Sequence, residues 1–386
     1  MTTTLVDRVR AFAQAELTSK EAYFDSLPEA PTVESVRLHE AGLANWWIPA
    51  AYGGPGVSLE DGVDVVSELA YGDGGFALGS IPTIIGTTVL QLCGDESLAR
   101  PYLEGLARDG GFHAILAAEQ DAGSELVRTS ATYVQAGEEV VVSGDKYFST
   151  NAATAAVLFA LARSGGEDGG ISVVVLPRDT PGIEIVKRWD MVGVRGSATY
   201  QVRLRDCAVP ARHRLRGNGV RNLEIGLNAS RILIAATAVG MARKVRDLAM
   251  EYAAVKHVKG APLADNAVFA AKLGQIEMLV DVMRNQCRAA AAEFDRAMAA
   301  ARSGDTTLYR VGTLRSALAA KMYCGQAGWQ VATIGSEMFG GLGYTHDHPI
   351  GKLVRDLRHV GLVEGGDDVI RDLLYARYVV PTGRRR

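Results

Sequence analysis

Apolar residues recur at helical spacing over the first part of the chain. Leu5, Val6, Val9 and Phe12 mark one stripe, and a second runs through residues 63–70. The glycine-rich segment at 52–56 (YGGPG) lacks the Lys-Ser/Thr pair and the preceding strand of a phosphate-binding P-loop, so we interpret it as a structural turn. Residues 1–113 are therefore predicted to form a helical domain.

The pattern changes between residues 114 and 217. Tyr200, Val202 and Leu204 alternate with polar residues, which is typical of a half-buried strand. Residues 171–176 form a short β-branched run, and residues 143–146 (SGDK) have the composition of a turn. Several short strands with turn signals predict a small antiparallel β-barrel or sandwich. A GxGxxG dinucleotide fingerprint is absent from the sequence, which argues against a Rossmann fold.

Long helical stripes return after residue 217. They cover residues 232–255, 268–294 and 314–338, and a shorter helix is predicted from about 369 to 378. Together these elements predict a four-helix bundle. The sequence thus indicates an α+β multidomain protein with a helical domain (1–113), a middle β-barrel domain (114–217) and a C-terminal four-helix bundle (218–386).

Composition and charge narrow the classes of function. The chain has 386 residues, 48% hydrophobic and 22% charged, with a net charge of −3. There is consequently no broad basic field for nucleic acid or an anionic membrane. The N-terminus lacks the features of a signal peptide, and we find no uninterrupted apolar run of membrane-spanning length. Cys93, Cys207, Cys287 and Cys324 are widely separated, which favours reduced thiols in a cytoplasmic protein.

The most informative carboxylate is Glu364. It precedes two glycines, where the backbone can approach a ligand closely, and Asp367 or Asp368 is placed to cap the helix that follows. Taken alone, the same pattern favours a solvated loop glutamate before an ordinary helix.

Two further segments have candidate binding chemistry. In residues 118–125 (AEQDAGSE), small residues expose backbone amides and Ser124 can donate a hydrogen bond to a phosphate. In residues 144–151 (GDKYFSTN), Phe148 offers a flat face for a ring, and Thr150 is expected on the same side of the strand. In isolation, a surface turn and an ordinary strand end are the favoured explanations of these two segments. The His346 and His348 pair lacks a third ligand, so no metal site is predicted.

Taken together, these motifs resemble the acyl-CoA dehydrogenase family over nearly the whole chain. The family pattern Thr-Glu-Pro-x-x-Gly-Ser-Asp is similar to residues 118–125, and Gly-x-Lys-x-Trp-Ile-Thr-Asn to residues 144–151. Three later patterns follow in the same order, at residues 193–199 (GVRGSAT), residues 340–356 with GGLGY, Pro349, Arg355 and Asp356, and residues 363–366 (VEGG). Each match is modest, whereas five in the family's order are specific.

The resemblance implies an FAD enzyme that removes two hydrogens across the Cα–Cβ bond of an acyl thioester. Glu364 would take the α-proton, and flavin N5 would take the β-hydride. A subset of the family places its base at the position of Ser230, which cannot serve, so Glu364 is the candidate. The implied contacts are Ala118, Ser124, Phe148, Thr150, Lys256, Glu337, Gly341 and Gly366 for FAD, and Asn228, Arg231 and Gly365 for substrate.

The resemblance also implies partners. The substrate would be carried by CoA or a carrier protein. Electrons would leave to an electron-transfer flavoprotein or to oxygen, and the chain would assemble as a homodimer or homotetramer.

Several positions depart from the family pattern on the cofactor side. Ala118 replaces Thr, Phe148 replaces Trp, Glu337 replaces Gln, and Gly366 replaces Thr. The family's Arg-x-x-Phe-Gly is KHVKG at residues 256–260, where Lys256 keeps the charge without the bidentate fork of arginine. These changes leave two alternatives open: a flavin oxidase or monooxygenase on the same fold, and a non-catalytic homologue that binds thioesters.

Overall fold

A computed structural model of the chain describes residues 4–166 and 169–380. The predicted order of a helical part, a β part and a second helical part is confirmed. The N-terminal helices are α1 (Leu5–Glu16), α2 (Glu21–Ser26), α3 (Thr32–Glu40), α4 (Leu59–Gly72), α5 (Gly74–Ser80), α6 (Pro82–Cys93) and α7 (Glu96–Asp109). Side chains of Thr4, Ser58 and Asp73 accept hydrogen bonds from the first turns of α1, α4 and α5, which fixes where these helices begin.

The middle part contributes seven strands, which form a single sheet among the described residues. They are β1 (His113–Leu116), β2 (Thr132–Ala136), β3 (Glu139–Thr150), β4 (Val157–Ser164), β5 (Ile171–Pro177), β6 (Ile183–Arg188) and β7 (Thr199–Pro210). The order is β1-β4-β2-β3-β7-β6, with β5 paired to β4. The antiparallel prediction holds for four pairs but is wrong for β1–β4 and β2–β4, which are parallel. Periodicity reports which face of a strand is buried and not the direction of its partner.

The turn predicted at residues 143–146 is wrong, because β3 continues through it. The register against β7 shifts between Val142 and Gly144, which marks a β-bulge. Gly144 has a φ of +147°, and a Cβ there would lie 2.5 Å from the Ala131 Cβ. The bulge therefore requires the small and polar residues that also characterise turns.

The C-terminal part is built around one very long helix. Its helices are α8 (Gly219–Val255), α9 (Ala267–Arg302), α10 (Thr307–Val311), α11 (Arg315–Met338), α12 (Pro349–Val360) and α13 (Asp367–Leu374), and a small hairpin joins β8 (His257–Val258) to β9 (Ala261–Pro262). Helices α9, α11 and α12 each pack on α8, and α11 also packs on α9 and α12. The bundle prediction holds, but its fourth member is α12 and not the last helix.

The last helix differs from its prediction in bounds and in its cap. Helix α13 spans Asp367–Leu374 and gives way to a π-helical turn over Tyr375–Val379. Gly366 occupies the N-cap position without a side-chain hydrogen bond, so the proposed aspartate cap is wrong. Asp367 and Asp368 stand in the first turn, where they still favour the positive end of the helix dipole.

Two described stretches are long and apolar enough to cross a membrane, although the sequence contains no uninterrupted apolar run of that length. They are Gly74–Cys93 and Gly219–Val255, and their most apolar windows are 78% and 94% buried inside the protein. The first stretch comprises α5 and α6, which both pack on α8, and the second is α8 itself, so both belong to the core.

Close packing of α4 on α8 depends on Gly240. A Cβ at this position would lie 2.1 Å from the backbone oxygen of Ser67. Gly240→Ala is therefore expected to lower the free energy of unfolding by about 2 kcal/mol, because two helix backbones must separate. Gly274 in α9 has no heavy atom within 4 Å of the position that a Cβ would take, so Gly274→Ala is expected to stabilise by about 0.5–1 kcal/mol. Urea unfolding of both variants tests the difference in sign.

Candidate active site

A short loop between α12 and α13 carries Glu364. The loop is held at its start, since the N–H groups of Leu362 and Val363 both donate to the His359 carbonyl. Glu364 has a φ of +51° and Gly365 a φ of +94°. A left-handed conformation at a glutamate costs about 1 kcal/mol or more, so surrounding contacts must stabilise it.

The Glu364 carboxylate points into the protein. Ser230 in α8 donates a hydrogen bond to Oε1, while Oε2 is buried and has no hydrogen-bond partner among the described residues. Burial raises the pKa of Glu364 to about 7, although the Ser230 hydrogen bond and the charges of Arg231 and Lys321 act in the opposite direction. A carboxylate with a pKa near neutrality and one free oxygen is suited to accept a proton.

Two buried cations hold the backbone of this loop. Arg231 donates from Nε and from a terminal nitrogen to the Glu364 carbonyl, at 3.1 and 3.0 Å. The Lys321 ammonium donates to the Gly365 carbonyl at 2.5 Å. Lys321 was not among the residues predicted from the sequence. The feature of the sequence that could have identified it is a lysine within the buried stripe of α11, between Leu318 and Cys324.

Asn228 faces inward and its amide is occupied by backbone. Its nitrogen donates to the Gly312 carbonyl at 2.7 Å, and its oxygen accepts from the Leu314 N–H at 2.7 Å. It therefore anchors the segment before α11 to α8. Direct contact between Asn228 and a substrate stays a prediction.

A surface cavity of about 440 Å³ opens at the N-terminal end of α8, and no pattern in the sequence indicated it. Its lining residues are Val127, Asn218, Val220, Arg221, Glu224, Tyr309 and Arg377. Positions 220, 224, 228 and 231 share one face of α8, and Arg231 at the far end of that face contacts the Glu364 loop. By helix rise, the path from Val220 to Arg231 is about 17 Å long.

The two predicted cofactor motifs are joined at a buried ion pair. The Tyr147 N–H donates to the Ala118 carbonyl, and the Lys146 ammonium lies 2.7 Å from the Glu119 carboxylate. Burial would raise the pKa of Glu119, but hydrogen bonds from Lys146, Ser130 and Thr129 hold it at about 2. The charged residues of these motifs thus fix the two segments to each other and leave their small and aromatic neighbours to face outward.

Phe148 and Thr150 lie on the outer part of β3. Phe148 is 58% exposed with a φ of +55°, and its ring stacks on Trp189 with the centroids 4.9 Å apart. The β3–β7 register shifts between Lys146 and Ser149, so simple alternation does not place Phe148 and Thr150 on one side as predicted. The Thr150 hydroxyl is 3.0 Å from that of Thr199.

Three polar atoms near these residues are buried without a hydrogen-bond partner among the described residues. They are Ser149 Oγ, Ser197 Oγ and Trp189 Nε1. Buried polar atoms normally find a partner, so these atoms point to a region that binds a polar group. An exposed aromatic ring beside unpaired hydrogen-bonding atoms fits a ring system with polar edges, as in a flavin.

The remaining predicted cofactor residues lie elsewhere. Ser124 is exposed in the loop after β1, and Gly341 is exposed in the turn after α11. Glu337 pairs with Lys272 at 2.6 Å, about 24 Å along α11 from Lys321 by helix rise. Lys256 is exposed at the end of α8, about 38 Å along that helix from Arg231. Within one subunit, Lys256 and Glu337 are too far along their helices to join the Glu364 loop, whereas Gly366 lies at its end.

A second buried charge cluster connects two other motifs. The Asp356 carboxylate accepts a hydrogen bond from the Val194 N–H and pairs with Lys352. Lys352 also lies 2.8 Å from Asp73, the cap of α5. The cluster ties α12, α5 and the loop before β7 together, so these separate sequence motifs contact one another in the fold.

The raised pKa of Glu364 predicts a pH-dependent effect on stability. Its folded pKa is about 7 against an ordinary value of 4.5, so the stabilising contribution is present below pH 4.5 and is lost as the pH rises through 7. The loss is about 3 kcal/mol. Glu364→Gln cannot ionise, so it should gain stability relative to the parent between pH 5 and pH 8. Equal pH dependence of urea unfolding in both proteins would contradict the raised pKa.

Comparison with protein families assigns all three parts of the chain. The family models described as acyl-CoA dehydrogenase N-terminal, middle and C-terminal domain match residues 2–110, 114–207 and 217–379. An acyl-CoA dehydrogenase of Bacillus subtilis (strain 168) is 26% identical over 379 residues, which cover 96% of each chain.

Solved structures give the same result for the fold. Butyryl-CoA dehydrogenase from Megasphaera elsdenii superposes with a TM-score of 0.87 at 23% identity, covering 97% of both chains. The prolyl acyl carrier protein oxidase AnaB superposes with a TM-score of 0.85 at 22% identity, covering 96% of both chains.

Proposed function

The chain belongs to the acyl-CoA dehydrogenase family, a family of FAD-dependent oxidoreductases, and we propose that it dehydrogenates the Cα–Cβ bond of an acyl thioester with Glu364 as the base. One observation carries the proposal. The Glu364 carboxylate is buried, is held by Ser230 through one oxygen, and keeps the other oxygen free of hydrogen bonds among the described residues.

Glu364 acts by accepting the α-proton at Oε2. With a pKa of about 7, the carboxylate is ionised in a useful fraction at neutral pH and is still basic enough to take a proton from carbon. Ser230 keeps the carboxylate oriented while the charge changes. The Glu364 backbone N–H is the proposed donor to the thioester oxygen as negative charge develops there.

The residues proposed to hold the cofactor lie around β3. Phe148 presents its ring, Thr150, Ser149 and Ser197 present hydroxyls, and Trp189 presents its N–H. When bound there, FAD would supply the hydride-accepting chemistry that the side chains lack. Ala118 is proposed to lie at its edge, because the Ala118 carbonyl accepts a hydrogen bond from the strand that carries Phe148, and Ser124 is proposed to reach the cofactor from the exposed loop that follows.

The thioester is proposed to enter through the cavity that contains Val220 and Glu224. The carrier arm would then run along the α8 face toward Arg231. A phosphopantetheine arm has a length of the same order as the path of about 17 Å along this helix. The two structural relatives are named for butyryl-CoA and for a prolyl acyl carrier protein, and we propose that one of these two kinds of carrier presents the arm at this entrance.

We also propose a homodimer or homotetramer. Lys256, Glu337 and Gly341 lie on the outside of the bundle, so they can serve a flavin only when a neighbouring subunit brings them to it. The three parts, residues 1–113, 114–217 and 218–386, are proposed to meet around the substrate. The four cysteines are free and buried, in keeping with a reducing cytoplasmic compartment.

The test begins with the purified protein itself. We expect it to be yellow and to release FAD on denaturation. Anaerobic addition of a matching acyl thioester should bleach the flavin, and a panel of acyl-CoAs and acylated carrier proteins identifies the carrier. Re-oxidation by electron-transfer flavoprotein or by oxygen then identifies the acceptor. A colourless protein that cannot be reconstituted with FAD would contradict the proposal and favour a non-catalytic homologue.

A further inference from the structure

Four lysines are buried among the described residues, and one of them differs from the rest. Three lie near carboxylates: Lys146 at 2.7 Å from Glu119, Lys352 at 2.8 Å from Asp73, and Lys244 at 3.6 Å from Glu21. Lys321 is fully buried and makes no ion pair within 4 Å in the described part of the chain. Its ammonium donates instead to a backbone carbonyl, that of Gly365.

Burying an ammonium group without a paired carboxylate is unfavourable, because the group loses its hydration shell. Burial lowers the pKa of Lys321 to about 8. The charged and titratable groups that face it come from every neighbouring element: Glu364 and Asp367 from the loop and α13, Arg231 from α8, and Arg358 and His359 from α12. Three cations, Lys321, Arg231 and Arg358, thus face two carboxylates, and neither carboxylate pairs directly with Lys321.

The position of the hydrogen bond from Lys321 to Gly365 indicates what this buried ammonium does. Arg231 holds the carbonyl of Glu364, and Lys321 holds the carbonyl of the next residue, Gly365. These two carbonyls belong to Glu364 and Gly365, the two residues of the loop with positive φ. At the start of the loop, Gly325 of α11 leaves room for Gly361, since a Cβ on Gly325 would lie 2.9 Å from the Gly361 Cα. Helix α11 thus supports the loop at both ends.

We propose that Lys321 is a positioning residue, whose buried ammonium clamps the Gly365 carbonyl and so keeps the Glu364 carboxylate turned toward Ser230. The inference rests on the proposed role of Glu364 as base. Lys321 does not touch the reacting atoms. It stabilises the strained loop and places a positive charge that favours the ionised form of Glu364.

Two measurements on the purified full-length protein test the clamp without any turnover. The first is hydrogen exchange of the amides in residues 361–366. The second is infrared titration of the Glu364 carboxyl band, assigned by its loss in Glu364→Gln. In Lys321→Met we expect loop exchange at least about fivefold faster. We also expect the Glu364 midpoint to rise by about half a pH unit or more, because a nearby cation is lost.

The matched control is Cys324→Ala. Cys324 is buried one turn along the same helix and contacts Cys287 of α9 at 3.6 Å, away from the loop. A packing defect there should lower stability and leave both readouts at parental values. A second variant, Lys321→Gln, keeps a hydrogen-bond donor without charge. It should show the full pH shift and a smaller increase in exchange.

The proposal is overturned if Lys321→Met and Lys321→Gln match Cys324→Ala in both loop exchange and Glu364 midpoint. Failure of the proposed function is distinguished because it appears in another measurement. If no acyl thioester bleaches the flavin while the Lys321 variants still shift the loop and the carboxyl band, the clamp stands and the assigned reaction does not.

Discussion

Glu364→Gln is expected to slow substrate-driven bleaching of the flavin by at least about a thousandfold, the upper range for loss of a general base. Glutamine has the same shape and can still accept the Ser230 hydrogen bond at its oxygen, so the loop should keep its conformation. It cannot accept a proton from carbon. Anaerobic stopped-flow measurement with a bleaching thioester gives the rate, and retained substrate binding separates lost chemistry from lost structure.

The first turn of α13, directly after this loop, offers a matched control. Asp368 lies four residues after Glu364, and its side chain is 97% exposed and paired with Arg371. Asp368→Asn removes a neighbouring carboxylate that is fully solvated, so we expect its bleaching rate to stay within about twofold of the parent. If Glu364→Gln bleached as fast as Asp368→Asn, Glu364 would not be the base.

The second large effect concerns Lys352. Lys352→Met would leave the Asp73 and Asp356 carboxylates buried without their cation. Breaking a buried ion pair from one side costs about 3–5 kcal/mol, so the variant should unfold at much lower denaturant concentration. The loss should be greatest at neutral pH and shrink in acid, because burial raises the pKa of Asp356 and favours its protonation there.

An exposed pair provides the comparison for this variant. Lys272 and Glu337 lie 2.6 Å apart with the Glu337 side chain 57% exposed. Lys272→Met should cost less than about 1 kcal/mol, because solvent screens the pair. Equal midpoints for the two lysine variants in urea would show that the Lys352 cluster does not hold the three parts of the chain together.

The periodicity of apolar residues predicted the long helices and strands correctly. It failed where the same local composition fits two kinds of structure. The stripe at 232–255 belongs to α8, and the alternation around Val202 belongs to β7. The apparent turn at 143–146 is a bulge inside β3, since a bulge and a turn use the same small and polar residues. The predicted bundle leaves out α12, because most of its residues fall in the motif at residues 340–356 and are not counted as a helical stripe.

For the active site, the sequence indicates the proposed base but not the residues that contact it. Glu364 could be found from a short motif, since the glycines that permit its loop are adjacent in sequence. Its contacts could not, because Ser230 is separated from it by 134 residues and Lys321 from Gly365 by 44. The cavity at the start of α8 also collects residues from distant parts of the chain. Contacts of this kind depend on packing, which a pattern along one chain does not record.

Kinetic isotope effects on flavin bleaching test the central claim most directly. A thioester that bleaches the flavin would be compared with two forms of it, one deuterated at Cα and the other at Cβ. We predict a primary isotope effect at each position, because Glu364 removes the α-proton while a hydride leaves Cβ, and a rate that rises with pH through about 7 as Glu364 ionises. Bleaching without an isotope effect at Cα, or with a rate independent of pH across that range, would contradict the assignment of Glu364 as the base.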